Sequence, residues 1–312
     1  MEQGQPLVSI GLPTYNGGRY LAQSLEALLK QDYPNWELLI SDNCSTDGTG
    51  DIARAYAARS DRVRYVRHET NLGARGNFNF VLREARGAYF MWAADHDLWE
   101  PTFISRCVEA LEADPTAMLA YSQCLMIDED GAPIEKIDDG FDFASPSALY
   151  RYKHILWYNI GSKIYGLARR EPLAATGGFA DVIAPDRLIL AQLTLQGPFE
   201  RVEGYLYVGR RNRPPETLGE RIMRTVVALN PSRADERRVV DGPLLYLALR
   251  DLFMKALQDS TLTFIDKLDA RVATLAAFHL KYHVASNLIR VLWGGSRALR
   301  QKRRIERWWG RE

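Results

Sequence analysis

An apolar run ends on two carboxylates. Residues 89–101 read YFMWAADHDLWEP, with Asp95 and Asp97 flanking His96. Carboxylates at the end of a buried strand have little freedom and form a compact set of hard oxygen ligands. Mg2+ or Mn2+ prefers such oxygens and completes its shell with phosphate and water, so the spacing suits a metal that bridges a diphosphate. A lone DxD triplet is common, however, and either aspartate could instead cap the helix that begins near Pro101. The surrounding elements decide between the two.

Those elements alternate. Residues 7–12 (LVSIGL) read as a strand, PTYNGG as a turn, and Tyr20, Leu21, Leu25, Leu28 and Leu29 as one face of a helix. The unit recurs with a strand at 36–41, a polar loop at 42–50 and a helix marked by Ile52, Ala53, Tyr56 and Ala57. A third strand at 63–66, a loop at 68–76 and a helix carrying Phe78, Val81, Leu82 and Ala85 follow, and then a strand at 88–94. This order predicts an α/β fold with a mostly parallel, Rossmann-like sheet flanked by helices, whose ligands collect at the carboxyl ends of the strands. PTYNGG, SDNCSTDGT and ADHD would then share one rim.

The second half is less regular. A helix is expected at 102–112, a strand near 118–122, a turn at IDEDG, a loop-like stretch through Ser147, further strand within 158–168, and a glycine turn at TGGF. Asp186 precedes an apolar pattern of Leu188, Ile189, Ala191, Leu193 and Leu195. After Arg213-Pro214-Pro215 proline and glycine become sparse, and both are absent from 244 to 293, which predicts several helices. The expected division is a domain at 1–215 and a helical C-terminal extension at 216–312.

PTYNGGRYLAQSL, LLISDNCSTDGT, HETNLGARGN and AADHD, in that order, resemble the family 2 glycosyltransferases, inverting enzymes of the GT-A fold that use nucleotide-diphosphate sugars. YGLARREPLAATGGF and APDRLILAQLTLQG resemble the acceptor half of the same family, so the likeness runs over residues 6–213. It implies that Pro13, Tyr15 and Asp42 hold the nucleotide base. An aromatic ring offers stacking area, and a carboxylate can accept the imide hydrogen of uracil or thymine, which points to a UDP- or dTDP-sugar. Asp47 is the more natural cap for the helix that follows. Arg75 would reach phosphate oxygens, Asp95 the ribose, and Asp97 a Mn2+ or Mg2+ ion, with His96 pointing away.

Asp186 is the expected general base for an acceptor hydroxyl. The family places a Glu-Asp pair at this helix start, and here the glutamate position is Pro185, which makes Asp181 a rival base; a plain helix cap is the other reading of Asp186, and the two roles can coexist. Arg210, Arg211 and Arg213 in VGRRNRPPE are expected in a loop, meeting the departing diphosphate or an anionic acceptor. Trp157 and Asn159 would shape the acceptor pocket. The acceptor itself could be a carbohydrate, a lipid-linked glycan or a small molecule. Two other readings remain open at this point: a nucleotide- or partner-binding relative without turnover, for which Pro185 speaks, and a sugar nucleotidyltransferase. The latter is disfavoured because PTYNGG carries no basic residue before Arg19.

Bulk properties narrow the field. The 312 residues carry 40 basic and 39 acidic side chains, a net charge of +1, which removes a global electrostatic case for nucleic acid. Three cysteines without CxxC spacing argue against a disulfide framework or zinc ribbon and fit a reducing cytoplasm. No apolar stretch approaches the ~20 residues of a membrane span. Residues 294–312, with seven Arg or Lys and the pair Trp308-Trp309, would suit peripheral contact with an anionic membrane, and the helices ahead of them a homodimer.

Overall fold

The computed structural model describes residues 4–137, 143–157, 161–182, 184–211 and 241–280. Its first half builds the expected units: β1 (Val8–Thr14), α1 (Leu21–Leu29), β2 (Trp36–Asp42), α2 (Thr49–Ala57), β3 (Val63–Arg67), α3 (Gly73–Arg83) and β4 (Tyr89–Trp92). β1 is buried along its whole length, because helices cover both faces of the sheet. α3 lies so close to β1 that a Cβ on Gly11 would sit 2.7 Å from Cγ2 of Val81, and glycine is what permits that approach. β2, β1 and β4 pair in parallel, with Thr14 opposite Asp42 and Gly11 opposite Trp92. This register aligns their carboxyl ends on one edge.

The second half adds β5 (Leu98–Trp99), α4 (Phe103–Ala113), β6 (Leu119–Ile127), β7 (Pro133–Ile137), α5 (Ala148–Trp157), a 3-10 turn (Gly161–Tyr165), β8 (Leu167–Arg169), α6 (Arg170–Ala175), α7 (Pro185–Gln196) and β9 (Phe199–Arg210). The sheet order is β3-β2-β1-β4-β8-β6-β9-β5, with β7 beside β6. β6 pairs in parallel with β9, whereas β8 runs antiparallel to β4 and β6, β5 to β9, and β7 to β6. The mostly parallel sheet therefore holds, with β5, β7 and β8 reversed.

Three local expectations are corrected. The stretch expected as loop through Ser147 contains β7, the second arm of a hairpin turned at Asp128, whose carboxylate accepts the N–H groups of Asp130 and Ala132. Of the strand expected within 158–168, the described residues form the 3-10 turn, with strand only at Leu167–Arg169. Arg210 is the last residue of the long strand β9, not part of a loop.

Beyond β9 the described chain resumes with α8 (Asp241–Asp259) and α9 (Phe264–Leu280). Leu249, Phe253, Leu257, Ala270, Ala277 and Phe278 join one core with residues of α5, α7 and β4. Within it, the hydroxyl groups of Tyr152 on α5 and Thr274 on α9 lie 2.7 Å apart. The opposite face of the sheet holds a second core under α1, α2 and α4. No described helix is long and apolar enough to cross a membrane.

Candidate active site

The loops after β1, β2 and β4 meet at the aligned strand ends, and Thr14 is the hinge of the arrangement. Its Oγ1 donates to Asp95 Oδ2 at 2.6 Å, and its carbonyl accepts the N–H of Asn43, next to Asp42, at 2.9 Å. Gly17 presses on the same point, where a Cβ would lie 2.3 Å from Asp95 Oδ2 and 2.6 Å from Thr14 Oγ1. The first two loops are stitched together by Asn16 N–H to Ser45 Oγ (2.9 Å), Thr46 N–H to Asn16 Oδ1 (2.9 Å) and Gly18 N–H to Asp47 Oδ2 (3.1 Å). The N-cap of α2 is Gly48 and not the expected Asp47, which stands one residue earlier and accepts the N–H of Thr49 at 3.0 Å. Asn43 ties in the third loop, accepting the N–H of Leu72 and donating to Asn71 Oδ1.

Asp42 is fully buried. Its Oδ1 accepts the N–H of Ser45 at 2.8 Å, its Oδ2 the hydroxyl of Tyr65 at 2.8 Å, and Arg67 Nε stands 3.7 Å away. Burial, followed by the neighbouring Asp42, pushes Tyr65 up to about 12, so the phenol stays a donor. Pro13 is buried beside it, while Tyr15 is half exposed and Arg75 is exposed in the first turn of α3.

The two aspartates of the DHD triplet differ. Asp95 keeps part of its carboxylate at the surface and accepts from Thr14 and from His96 Nδ1 at 2.9 Å. Asp97 is 3% exposed, its Oδ1 accepting the N–H of Arg210 at 2.7 Å and its Oδ2 the hydroxyl of Tyr207 at 2.6 Å. Burial raises its pKa. The expected metal ligand is thus turned into the protein, and the open carboxylate is Asp95. Arg210, expected to meet a diphosphate, is buried too. Its guanidinium donates to the carbonyls of His96, Asp128 and Glu129 and to Gln23 Oε1, and stacks 4.5 Å from the Tyr20 ring. It braces the triplet against α1 and the β6–β7 turn. Arg211 is exposed and pairs with Glu135 at 3.3 Å.

The residues expected on the acceptor side lie around the start of α7. Ala184 is the N-cap in left-handed conformation (φ 52°), Pro185 takes the first helical position, and Asp186 sits in the first turn. Asp186 is therefore a first-turn residue and not the helix cap. Burial raises its pKa, against the opposing pull of the Arg187 backbone and charge. Arg187 Nη1 reaches the carbonyls of Ile155 and Leu156, which sets the end of α5 and the exposed Trp157 beside the start of α7. The preceding turn reaches the end of β4, since Phe179 packs 5.1 Å from Trp92, three residues before Asp95. Asp181 follows two residues after Phe179 and is partly buried. Asn159, Arg213 and the tail 294–312 lie outside the described residues.

Backbone strain marks the same places. Among the described residues, Asn16, Cys44 and Ala184 are the non-glycine residues with positive φ, at 52°, 65° and 52°. They fall in the loop after β1, the loop after β2 and the entry to α7, and residues so held tend to cluster at functional sites.

The family model for glycosyl transferase family 2 matches residues 9–168, just over half of the chain. The protein belongs to that family. Among curated relatives, it is 32% identical over 136 residues to the putative teichuronic acid biosynthesis glycosyltransferase TuaG of Bacillus subtilis, covering 44% of this chain and 54% of the relative. It is 38% identical over 127 residues to the putative glycosyltransferase EpsE of the same species, covering 40% and 46%. The chain thus matches about half the length of these relatives. Among solved structures, S. aureus TarS 1–349 superposes with a TM-score of 0.66 at 17% identity over 91% of this chain and 78% of that one. The mannosyltransferase PcManGT of Pyrobaculum calidifontis, solved with GDP-Man and Mn2+, gives 0.52 at 19% identity over 94% and 89%. These likenesses establish the GT-A fold.

In this family 2 chain, sequence reasoning passed over Thr14, Gly17, Asn77 and Tyr207. Asn77 donates to the carbonyls of Ser41 (3.0 Å) and Thr14 (3.3 Å), locking α3 to the ends of β1 and β2. A polar residue on the buried face of an amphipathic helix was the available signal. Tyr207 had none, because its partner Asp97 lies far away in the chain and on another strand.

Proposed function

We propose that the protein transfers a sugar from a UDP- or dTDP-linked donor to an acceptor hydroxyl with inversion, in the assembly of a polysaccharide or related glycan. The observation that carries this reading is the convergence on Thr14, which brings the loops of Asp42 and Asp95 to one rim of the sheet. The relatives' names point the same way: TuaG for teichuronic acid, and the putative WcaA of Escherichia coli for colanic acid. TarS was also solved with UDP-GlcNAc.

In this reading Pro13 and Tyr15 frame the base, and Asp42 accepts its imide hydrogen when Tyr65 yields that position. Arg75 meets the diphosphate. The donor set suits a divalent cation that draws most of its shell from phosphate and water, since it offers one rim carboxylate and no group of three ligating side chains among the described residues. Asp95 would hold Mn2+ or Mg2+, with Asp97 behind it. The ion would offset negative charge on the leaving diphosphate. Asp186 takes the acceptor proton, and its raised pKa suits a base working nearer neutrality. Trp157, beside the start of α7, offers an apolar face to a sugar ring.

The test is release of free nucleotide from a panel of UDP-, dTDP- and GDP-sugars, with and without Mn2+, for the parent and Asp186→Asn. Turnover of a UDP- or dTDP-sugar that Asp186→Asn loses supports the reading. Binding of UDP without turnover on any acceptor would instead support the nucleotide-binding alternative.

A further inference from the structure

We infer that Asn79 is a positioning residue that sets the distance between the donor half of the site and the carboxylates of the acceptor half. The inference rests on the proposed function for its kinetic part. Its structural part stands alone.

The side-chain amide of Asn79, on α3, makes a two-point bridge to a single peptide. Nδ2 donates to the carbonyl of Phe179 at 3.0 Å, and Oδ1 accepts the N–H of Phe179 at 2.7 Å. An amide is the side chain that can do both at once, in the manner of a strand neighbour. The contact is built from the other side as well. Gly178 has φ +70°, and a Cβ there would lie 2.3 Å from Asn79 Oδ1, so both its conformation and the space call for glycine. The Phe179 ring then packs 4.6 Å from Phe78 and 5.1 Å from Trp92, which holds the turn in place.

The consequence follows from what else α3 touches. Two residues earlier Asn77 bonds the carbonyls of Thr14 and Ser41, at the ends of the strands that carry the proposed base pocket. Phe179 lies two residues before Asp181 and seven before Asp186. One short stretch of helix thus grips the donor rim with Asn77 and the entry to the acceptor carboxylates with Asn79. Loss of the second grip should leave donor binding alone and misplace the proton acceptor. A displacement of about 1 Å at a reacting centre can cost on the order of 10²-fold in rate.

The experiment compares the parent with Asn79→Ala, Asn79→Asp and Gly178→Ala. Asn79→Asp keeps the shape and the acceptor for the Phe179 N–H but sets a carboxylate oxygen against the Phe179 carbonyl. The readouts are UDP affinity by calorimetry, the separate kcat and acceptor KM of transfer, and amide exchange in peptides covering residues 176–182. Expected are a UDP Kd within about twofold of the parent, kcat lowered by about tenfold or more, and faster exchange around Phe179. In the background of whichever of Asp181→Asn and Asp186→Asn lowers kcat more while leaving measurable transfer, Asn79→Ala should cost less than about threefold further, because both changes act on one group.

Equal losses of UDP affinity and of kcat would reduce Asn79 to a structural residue and overturn the inference. So would full additivity with the aspartate variant. A preparation that transfers no sugar from any donor defeats the proposed function by itself, and exchange then decides the bridge: unchanged protection around Phe179 in both Asn79 variants overturns it.

Discussion

Replacing Asp97 with alanine should be far more damaging to the fold than replacing it with asparagine. The carboxylate receives two hydrogen bonds from buried donors, the N–H of Arg210 and the hydroxyl of Tyr207. Alanine strands both. A buried donor left without a partner costs about 1–3 kcal/mol, so the pair comes to about 2–6 kcal/mol before the small cavity is counted. That is a large share of the ~5–15 kcal/mol stability of a typical domain. Asparagine can keep its oxygen on the Arg210 N–H while its NH2 faces the phenol oxygen, whose hydroxyl hydrogen rotates away. It loses charge assistance and gains from removing a buried charge, for a net change of about 1 kcal/mol or less. Urea unfolding at fixed pH reads both changes through the midpoint at constant slope. A loss below about 0.5 kcal/mol for Asp97→Ala would refute the bracing role. The same pair of variants separates bracing from metal binding: if Asp97→Asn keeps its stability and its Mn2+-dependent UDP affinity, the ion does not depend on Asp97.

Other expectations follow from the same geometry. Burial holds the pKa of Asp186 above its ordinary 3.8, and a base must be ionised to act, so the acid limb of kcat/KM should lie above that of an exposed carboxylate. Asp186→Asn should lower kcat by about 10²–10⁴-fold and erase that limb. In stability the sign is opposite. The unfolded chain sheds this proton first, so the group's contribution is complete below the unfolded pKa and fades as pH rises through the folded one; Asp186→Asn should flatten this part of a pH series of urea midpoints. Gly17→Ala puts a methyl 2.3 Å from Asp95 Oδ2 and should weaken UDP binding in Mn2+ by about tenfold, ~1.4 kcal/mol, read by calorimetry. Tyr152→Phe removes the hydroxyl facing Thr274 and should cost about 0.5–1.5 kcal/mol in a single unfolding transition, whereas an independent C-terminal unit would show two.

The first half of the fold was legible because its strands are covered on both faces. Continuous apolar runs such as LVSIGL are separated by loops rich in Gly, Asn and Asp, and a parallel sheet leaves no other place for those loops than its rim. The strands of the second half read less clearly. β9 was missed because Gly204, at φ +100°, breaks its alternation where β6 shifts register, with Gln123 Oε1 accepting the Gly204 N–H. Arg210 looked like a loop arginine because it precedes Arg211, Asn212 and two prolines. Nothing nearby in the chain says that its guanidinium closes over His96, Asp128, Glu129 and Gln23. Residue types that could do chemistry were visible at once, but a carboxylate partly open at the rim and one braced against a buried phenol look the same in one dimension. The DHD triplet therefore marks the rim in the sequence, and the fold adds which of its aspartates is open.

The proline at position 185 illustrates the other direction, in which the structure explains a departure from the family pattern. At the first helical position the backbone N–H has no partner to lose and φ near −65° is already helical, so proline is well suited there. It is buried, and it follows a left-handed Ala184, which turns the chain sharply into α7. A glutamate at this buried position would have to bury a charge or open the turn. With proline there, Asp186 is left as the carboxylate of the first turn. Two effects then compete on it: the free N–H groups and dipole of the helix start favour its charge, and burial disfavours it. Burial wins in the balance. Pro185 thus leaves Asp186 as the carboxylate of the first turn, and its raised pKa comes from burial and not from a neighbouring carboxylate.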